Sequence, residues 1–179
     1  MFRHPKTDLM ARKTDCPEGL SPIIGNEPRV LILGSFPSVI SLERSGYYAN
    51  PRNQFWKIME AVCGIPETAG YQERIRFLKE NHIALWDVVG GCSRTGSADA
   101  SLKNIQTNNI AGILAEHPGI QCIVLNGRTA ERLFLQAFRE DPVISSRTIL
   151  GMPSTSPANA GMSLPEKVLK WKEILTYLS

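Results

Sequence analysis

Four short apolar runs punctuate the chain, and each gives way to polar or Gly/Pro-bearing residues and then to a helical period. They are Val30-Leu31-Ile32-Leu33, Ile83 to Val89, the segment Gln121 to Leu125, and Arg147 to Leu150. Unbroken apolar runs suit strands covered on both faces, as in a parallel sheet under helices. Between them the pattern predicts helices over Phe55–Val62 with a stop near Gly64, over Tyr71–Asn81, within Leu102–Glu116, over Ala130–Arg139 and over Leu164–Leu178. The third is expected to cap near Thr107 or Asn108, and Pro165 suits the first turn of the last. Gly90–Ser97 and 151–161 read as loops. The order predicts one domain over 1–179, a three-layer α/β/α sandwich with a short, mainly parallel four-stranded central sheet. Residues 1–28 read as a loose segment with one apolar anchor, Ile23-Ile24.

Each strand is followed by a distinctive polar stretch: G-S-F-P-S from Gly34, D-V-V-G-G from Asp87, N-G-R-T from Asn126 and M-P-S-T-S-P from Met152. In an open α/β sheet these stretches meet on one rim, outside the strands' carboxyl ends, where such folds bind ligands. The loop after the first strand is dense in groups that stack or hydrogen-bond: Tyr47, Tyr48, Asn50, Arg52, Asn53 and Gln54.

Composition narrows the function class. The chain has 179 residues, 42% hydrophobic and 21% charged, enough for one substantial core. No stretch has the length of a membrane span and the start lacks a signal-peptide pattern, so the expected setting is cytoplasmic, with no membrane partner. A net charge of +3 is compatible with a polyanionic partner, and Arg3, Lys6, Arg12 and Lys13 make the first residues basic. The four cysteines, Cys16, Cys63, Cys92 and Cys122, have no paired spacing, so neither a metal site nor an iron–sulfur cluster is expected.

G-S-F-P-S followed by Y-Y-A-N-P-R-N-Q-F-W resembles the first motif region of the uracil-DNA glycosylase superfamily. It is most similar to the hypoxanthine-DNA (deoxyinosine) glycosylase branch, which is related to the mismatch-specific uracil/thymine glycosylases. M-P-S-T-S-P-A-N, from Met152 to Asn159, resembles the second motif region, and the likeness spans roughly residues 28–178. It implies a monomeric DNA repair enzyme that flips a deaminated or mismatched base out of double-stranded DNA and hydrolyses its N-glycosidic bond without a cofactor. Hypoxanthine is the implied base, with uracil and xanthine as alternatives.

The resemblance also distributes roles. Many members carry Asn or Asp at the third residue of the G-x-x-P run, where this chain has Phe36. That departure fits the hypoxanthine branch, in which catalysis is assigned to an Asn further along, matched here by Asn53. Asn53 would hold the attacking water, or it caps the helix that follows. Phe55 resembles a base-stacking wall, or it is an ordinary core aromatic. Tyr47 and Tyr48 line the pocket or pack against the loop. Backbone amides of Ser35 and Phe36 would bind the base edge. Asp87 orients water or base, or caps the Gly90-Gly91 turn; Asn126 reaches the nucleotide, or ties two loops together.

For DNA itself, Ser154, Thr155, Ser156 and Pro157 form a stiff hydroxyl-rich loop expected in the minor groove. Arg52, Arg94 and Arg128 are expected on flanking phosphates. No Lys lies in either motif loop to act as a Schiff-base nucleophile, which points to simple hydrolysis. Two readings compete: a non-catalytic lesion- or nucleotide-binding module, favoured by the apolar Phe36, and an α/β enzyme acting on another small ligand.

Overall fold

A computed structural model describes residues 17–179. The central sheet contains β1 (Val30–Gly34), β2 (Ile83–Asp87), β5 (Cys122–Asn126) and β6 (Thr148–Met152), in the order β2-β1-β5-β6, all parallel. Alternation along β1 explains the layers, because successive side chains leave opposite faces of a strand. Val30 and Ile32 enter a core shared with α2 (Phe55–Cys63), α3 (Tyr71–Glu80) and α7 (Leu164–Trp171). Leu31 and Leu33 enter the other, shared with α4 (Ile110–Glu116), α5 (Arg128–Phe138) and α6 (Pro142–Ser145). All four side chains are fully buried, as the apolar run predicts.

Four local readings change. Gly90–Ser97 is not all loop: β3 (Val89–Ser93) pairs antiparallel with β4 (Lys103–Thr107) in a separate two-stranded sheet. Two glycines hide β3 from any propensity argument, and β4 is exposed along its length, so neither strand shows an apolar alternation. The helix sought within Leu102–Glu116 therefore starts late, at Ile110, with Asn109 Oδ1 accepting the Gly112 amide at 3.0 Å. The closing helix runs only to Trp171 and continues as a 3₁₀ turn over Lys172–Tyr177. Two short helices, α1 (Val39–Glu43) and α6, sit where the pattern is too brief to show a period.

Residues 17–28 are tied down rather than loose. Glu18 bridges Gly91 and Ile23 bridges Leu85, which makes Ile23 the expected anchor. Arg3, Lys6, Arg12, Lys13 and Cys16 lie outside the described residues.

Candidate active site

Sheet register lines up the rim. Gly34 pairs with Asp87 and Asn126 with Met152, so the final residues of four strands stand side by side. Asn126 is the junction between the loops above them. Its Nδ2 donates to Tyr48 Oη at 3.1 Å and to Thr155 Oγ1 at 3.0 Å, and its Oδ1 accepts the Thr155 amide at 3.0 Å. The Thr155 carbonyl accepts the Gln54 amide at 2.9 Å. The two motif loops are thereby stitched into one wall, and Asn126 ties loops together as one of its two readings held.

Helix α7 locks that wall from behind. Lys167 is buried, and its Nζ donates to Gln54 Oε1 at 2.8 Å and to the Asn159 carbonyl at 3.0 Å. Burial pushes its pKa down, and no carboxylate among the described residues offsets the desolvation. Trp171 Nε1 donates to the Pro153 carbonyl at 3.1 Å. Sequence reasoning missed Lys167. The available signal was its place on the apolar stripe, three residues after Leu164 and four before Trp171.

The aromatics divide their work. Tyr48 sits at φ 54°, an uncommon conformation for a non-glycine residue, and its ring stacks on Phe55 at 3.9 Å with 19° between planes. Phe55 lies beneath it with no exposed surface, edge-on to Trp56 and Trp171. Phe55 is thus core in this structure, and Tyr48 is the ring on the rim side. Tyr47 is buried, with its hydroxyl donating to the Ser21 carbonyl at 2.8 Å, so it fastens the N-terminal segment. Burial, helped by the Asp87 charge, raises the pKa of both tyrosines and keeps both hydroxyls protonated.

Asn53 has one side-chain atom committed: from the position before the N-cap Gln54, Oδ1 accepts the Phe55 amide at 2.9 Å and so satisfies the first amide of α2. Its Nδ2 makes no hydrogen bond to the described residues. A single side chain can therefore satisfy the helix with its oxygen and present the amide NH₂ group. Asp87 is 4% exposed and its Oδ2 lacks any partner among the described residues. A Cβ on Gly34 would stand 2.5 Å from Asp87 Oδ1, so only glycine lets the carboxyl lie across the motif loop. Burial first, then the charge of Asp99, pushes the Asp87 pKa up to about 7, while Arg94 opposes the rise. Asp87 does not cap the Gly90-Gly91 turn with its side chain; its backbone carbonyl accepts Asn108 Nδ2 at 2.8 Å.

The β3–β4 hairpin closes over the first motif. Ser35 Oγ donates to Asp99 Oδ1 at 2.7 Å, and the Val39 amide donates to Ser97 Oγ at 3.0 Å. Arg94 lies over the ring of the buried Phe36 at 4.9 Å, with one guanidinium nitrogen buried. It is half-buried, so part of its guanidinium is committed to the first motif. Arg52 and Arg128 are exposed beside the loops.

In the closing loop Thr155 is fully buried and spent on Asn126, which corrects the expectation that all three hydroxyls face DNA. Ser154, Ser156 and Pro157 remain near the surface. The loop is braced by Ser154 Oγ accepting the Ser156 amide and by Asn159 Nδ2 donating to the Ser154 carbonyl. Gly127, at φ 94°, lets the β5–α5 turn approach, since a Cβ there would meet Ser154 Cβ at 2.8 Å. Among the described residues no group of three His, Cys, Asp or Glu could hold a metal ion.

A parallel sheet with helices on both faces, and convergent amide, hydroxyl, phenol and carboxyl groups outside its strand ends, places the chain among open α/β proteins, which bind ligands at that edge. Residues 22–178 match the family model of the uracil DNA glycosylase superfamily. The chain belongs to that superfamily and is a DNA glycosylase, a hydrolase whose substrate is DNA. It is 34% identical over 113 residues to a hypoxanthine DNA glycosylase of Methanosarcina acetivorans, covering 63% of this chain and 72% of that one. A hypoxanthine DNA glycosylase of Methanosarcina barkeri is 32% identical over 112 residues, 62% and 71% of the two chains. The fold superposes with a TM-score of 0.77 on a solution NMR structure from Methanosarcina acetivorans, provisionally designated a uracil DNA glycosylase. That match has 29% identity over 91% of this chain and 98% of the other.

Proposed function

We propose that this protein excises hypoxanthine from deoxyinosine in double-stranded DNA by hydrolysis, leaving an abasic site, with uracil and xanthine as secondary bases. The observation that carries the reading is Asn53. The third position of the first motif is an apolar, buried Phe36, and the loop that follows the motif carries an Asn whose Nδ2 is uncommitted among the described residues. In the proposal that amide holds the water that attacks C1′, Tyr48 supplies the stacking face, and Asn126 exchanges its Tyr48 contact for the flipped base. Ser154, Ser156, Pro157, Arg52 and Arg128 would meet the bent duplex backbone. The relatives named for hypoxanthine support the choice of base.

The test is incubation with end-labelled duplexes carrying one inosine, uracil or xanthine, followed by alkali to cleave abasic sites. Alkali-dependent cleavage at inosine is expected, with no cleavage before alkali. Cleavage at uracil with none at inosine would overturn the base assignment.

A further inference from the structure

Resting on that reading, we propose that Asp87 is the general acid that protonates N7 of the departing purine. The geometry comes first. Asp87 ends β2 directly beside Gly34, the first residue of the first motif, and its Oδ2 has no partner among the described residues although Asp87 is only 4% exposed. A buried polar atom left unpaired is costly in a native protein, and such atoms concentrate where a ligand completes them. The absence of a side chain at Gly34 is what admits the carboxyl to this spot.

Among the described residues the rim offers no other group for the task. His82 and His117 precede β2 and β5 and so lie at the amino ends of the strands, the opposite pole of the sheet. Lys167 and Tyr47 already donate within the loop wall or the core, and burial holds the Tyr48 hydroxyl well above its ordinary pKa. The charged and titratable groups that act on Asp87 are Asp99 and Arg94 from the β3–β4 hairpin and Tyr47 and Tyr48 from the first loop. Burial first, and then the Asp99 charge, push its pKa up to about 7 against the opposing pull of Arg94, close to where a general acid works best at neutral pH.

The step balances. As the C1′–N9 bond breaks, its electron pair remains on the base, and the Asp87 O–H proton passes to N7. The resulting carboxylate offsets the positive charge developing on the sugar. Water then adds to C1′ and its proton returns to Asp87, giving free hypoxanthine and an abasic hydroxyl. A pyrimidine has no N7, so uracil excision would not use this path.

The experiment measures single-turnover excision from pH 5.5 to 9 on duplexes with deoxyinosine, 7-deaza-2′-deoxyinosine or deoxyuridine, for wild type and Asp87→Asn. On deoxyinosine the wild-type rate should fall about tenfold per unit above pH ~7, and Asp87→Asn should lose about 100-fold or more together with that break. On the 7-deaza substrate, which offers no N7, wild type should already be slow and the variant no slower. Two of these readouts need no mutation, so a folding defect in the variant leaves the test intact. Excision of deoxyinosine by Asp87→Asn within threefold of wild type overturns the proposal while the hypoxanthine reading stands. So does an equal loss on both purine substrates. A wild-type enzyme silent on deoxyinosine overturns both.

Discussion

Replacing Asn53 separates the two tasks that the structure assigns to its two side-chain atoms. Oδ1 accepts the first amide of α2, that of Phe55, at 2.9 Å, and Nδ2 is uncommitted among the described residues. Asn53→Ala removes both. Loss of a hydrogen bond of this kind costs about 1 kcal/mol, which lowers the melting temperature of a domain this size by about 2–4 °C. Loss of the water-holding amide should cost ~3 kcal/mol of transition-state stabilisation, a rate reduction of about two orders of magnitude. Asn53→Ser keeps an oxygen within reach of the helix amides but removes the NH₂ group, so it should melt near wild type and still lose about 100-fold in excision. Thermal unfolding and single-turnover excision at saturating enzyme read the two effects independently. DNA affinity should move little, because the group acts on water and sugar. A Ser variant that excises within threefold of wild type would show that only the bond to the helix amide matters, and Asn53 would leave the catalytic assignment.

Three further outcomes follow from the same geometry. Asn126→Ala strands the buried Thr155 amide and hydroxyl and the Tyr48 hydroxyl, and at about 1 kcal/mol each should lower the melting temperature by about 6–12 °C; a change within 2 °C would refute the junction. Asp87 holds its proton up to about 7 in the native state against 3.8 ordinarily, so the native state binds more protons between those values and loses stability as pH rises. Asp87→Asn should abolish that loss, about 4 kcal/mol across the interval, and a wild-type urea midpoint that does not move from pH 4 to 8 would contradict it. Ser154→Ala with Ser156→Ala should weaken lesion-duplex binding by about tenfold without moving its salt slope, whereas Arg128→Ala should flatten that slope by about one unit; a salt titration of affinity checks both.

The sequence by itself determined the sheet and where its polar groups collect. Val30-Leu31-Ile32-Leu33 and Cys122–Leu125 carry no alternation, and only a two-sided burial accounts for that, so the parallel sandwich and its rim were readable from local pattern. Helices α2, α3 and α5 were readable because amphipathic periods exceed two turns. What required tertiary structure is everything decided by a partner distant in the chain. Thr155 is a surface hydroxyl by composition and a buried one in fact, because Asn126, 29 residues earlier, takes both its amide and its hydroxyl. Lys167 reads as solvated charge until Gln54, 113 residues away, receives its ammonium. Arg94 reads as a phosphate clamp until the β3–β4 hairpin folds it over Phe36. Asp87 carries no trace in the sequence of an oxygen left without a partner; its burial and its neighbours Asp99 and Arg94 are set by how two sheets meet. Periodicity records which face of its own element a residue occupies, and that was enough for the fold. It does not record what waits on the other side, and the site is made of those meetings.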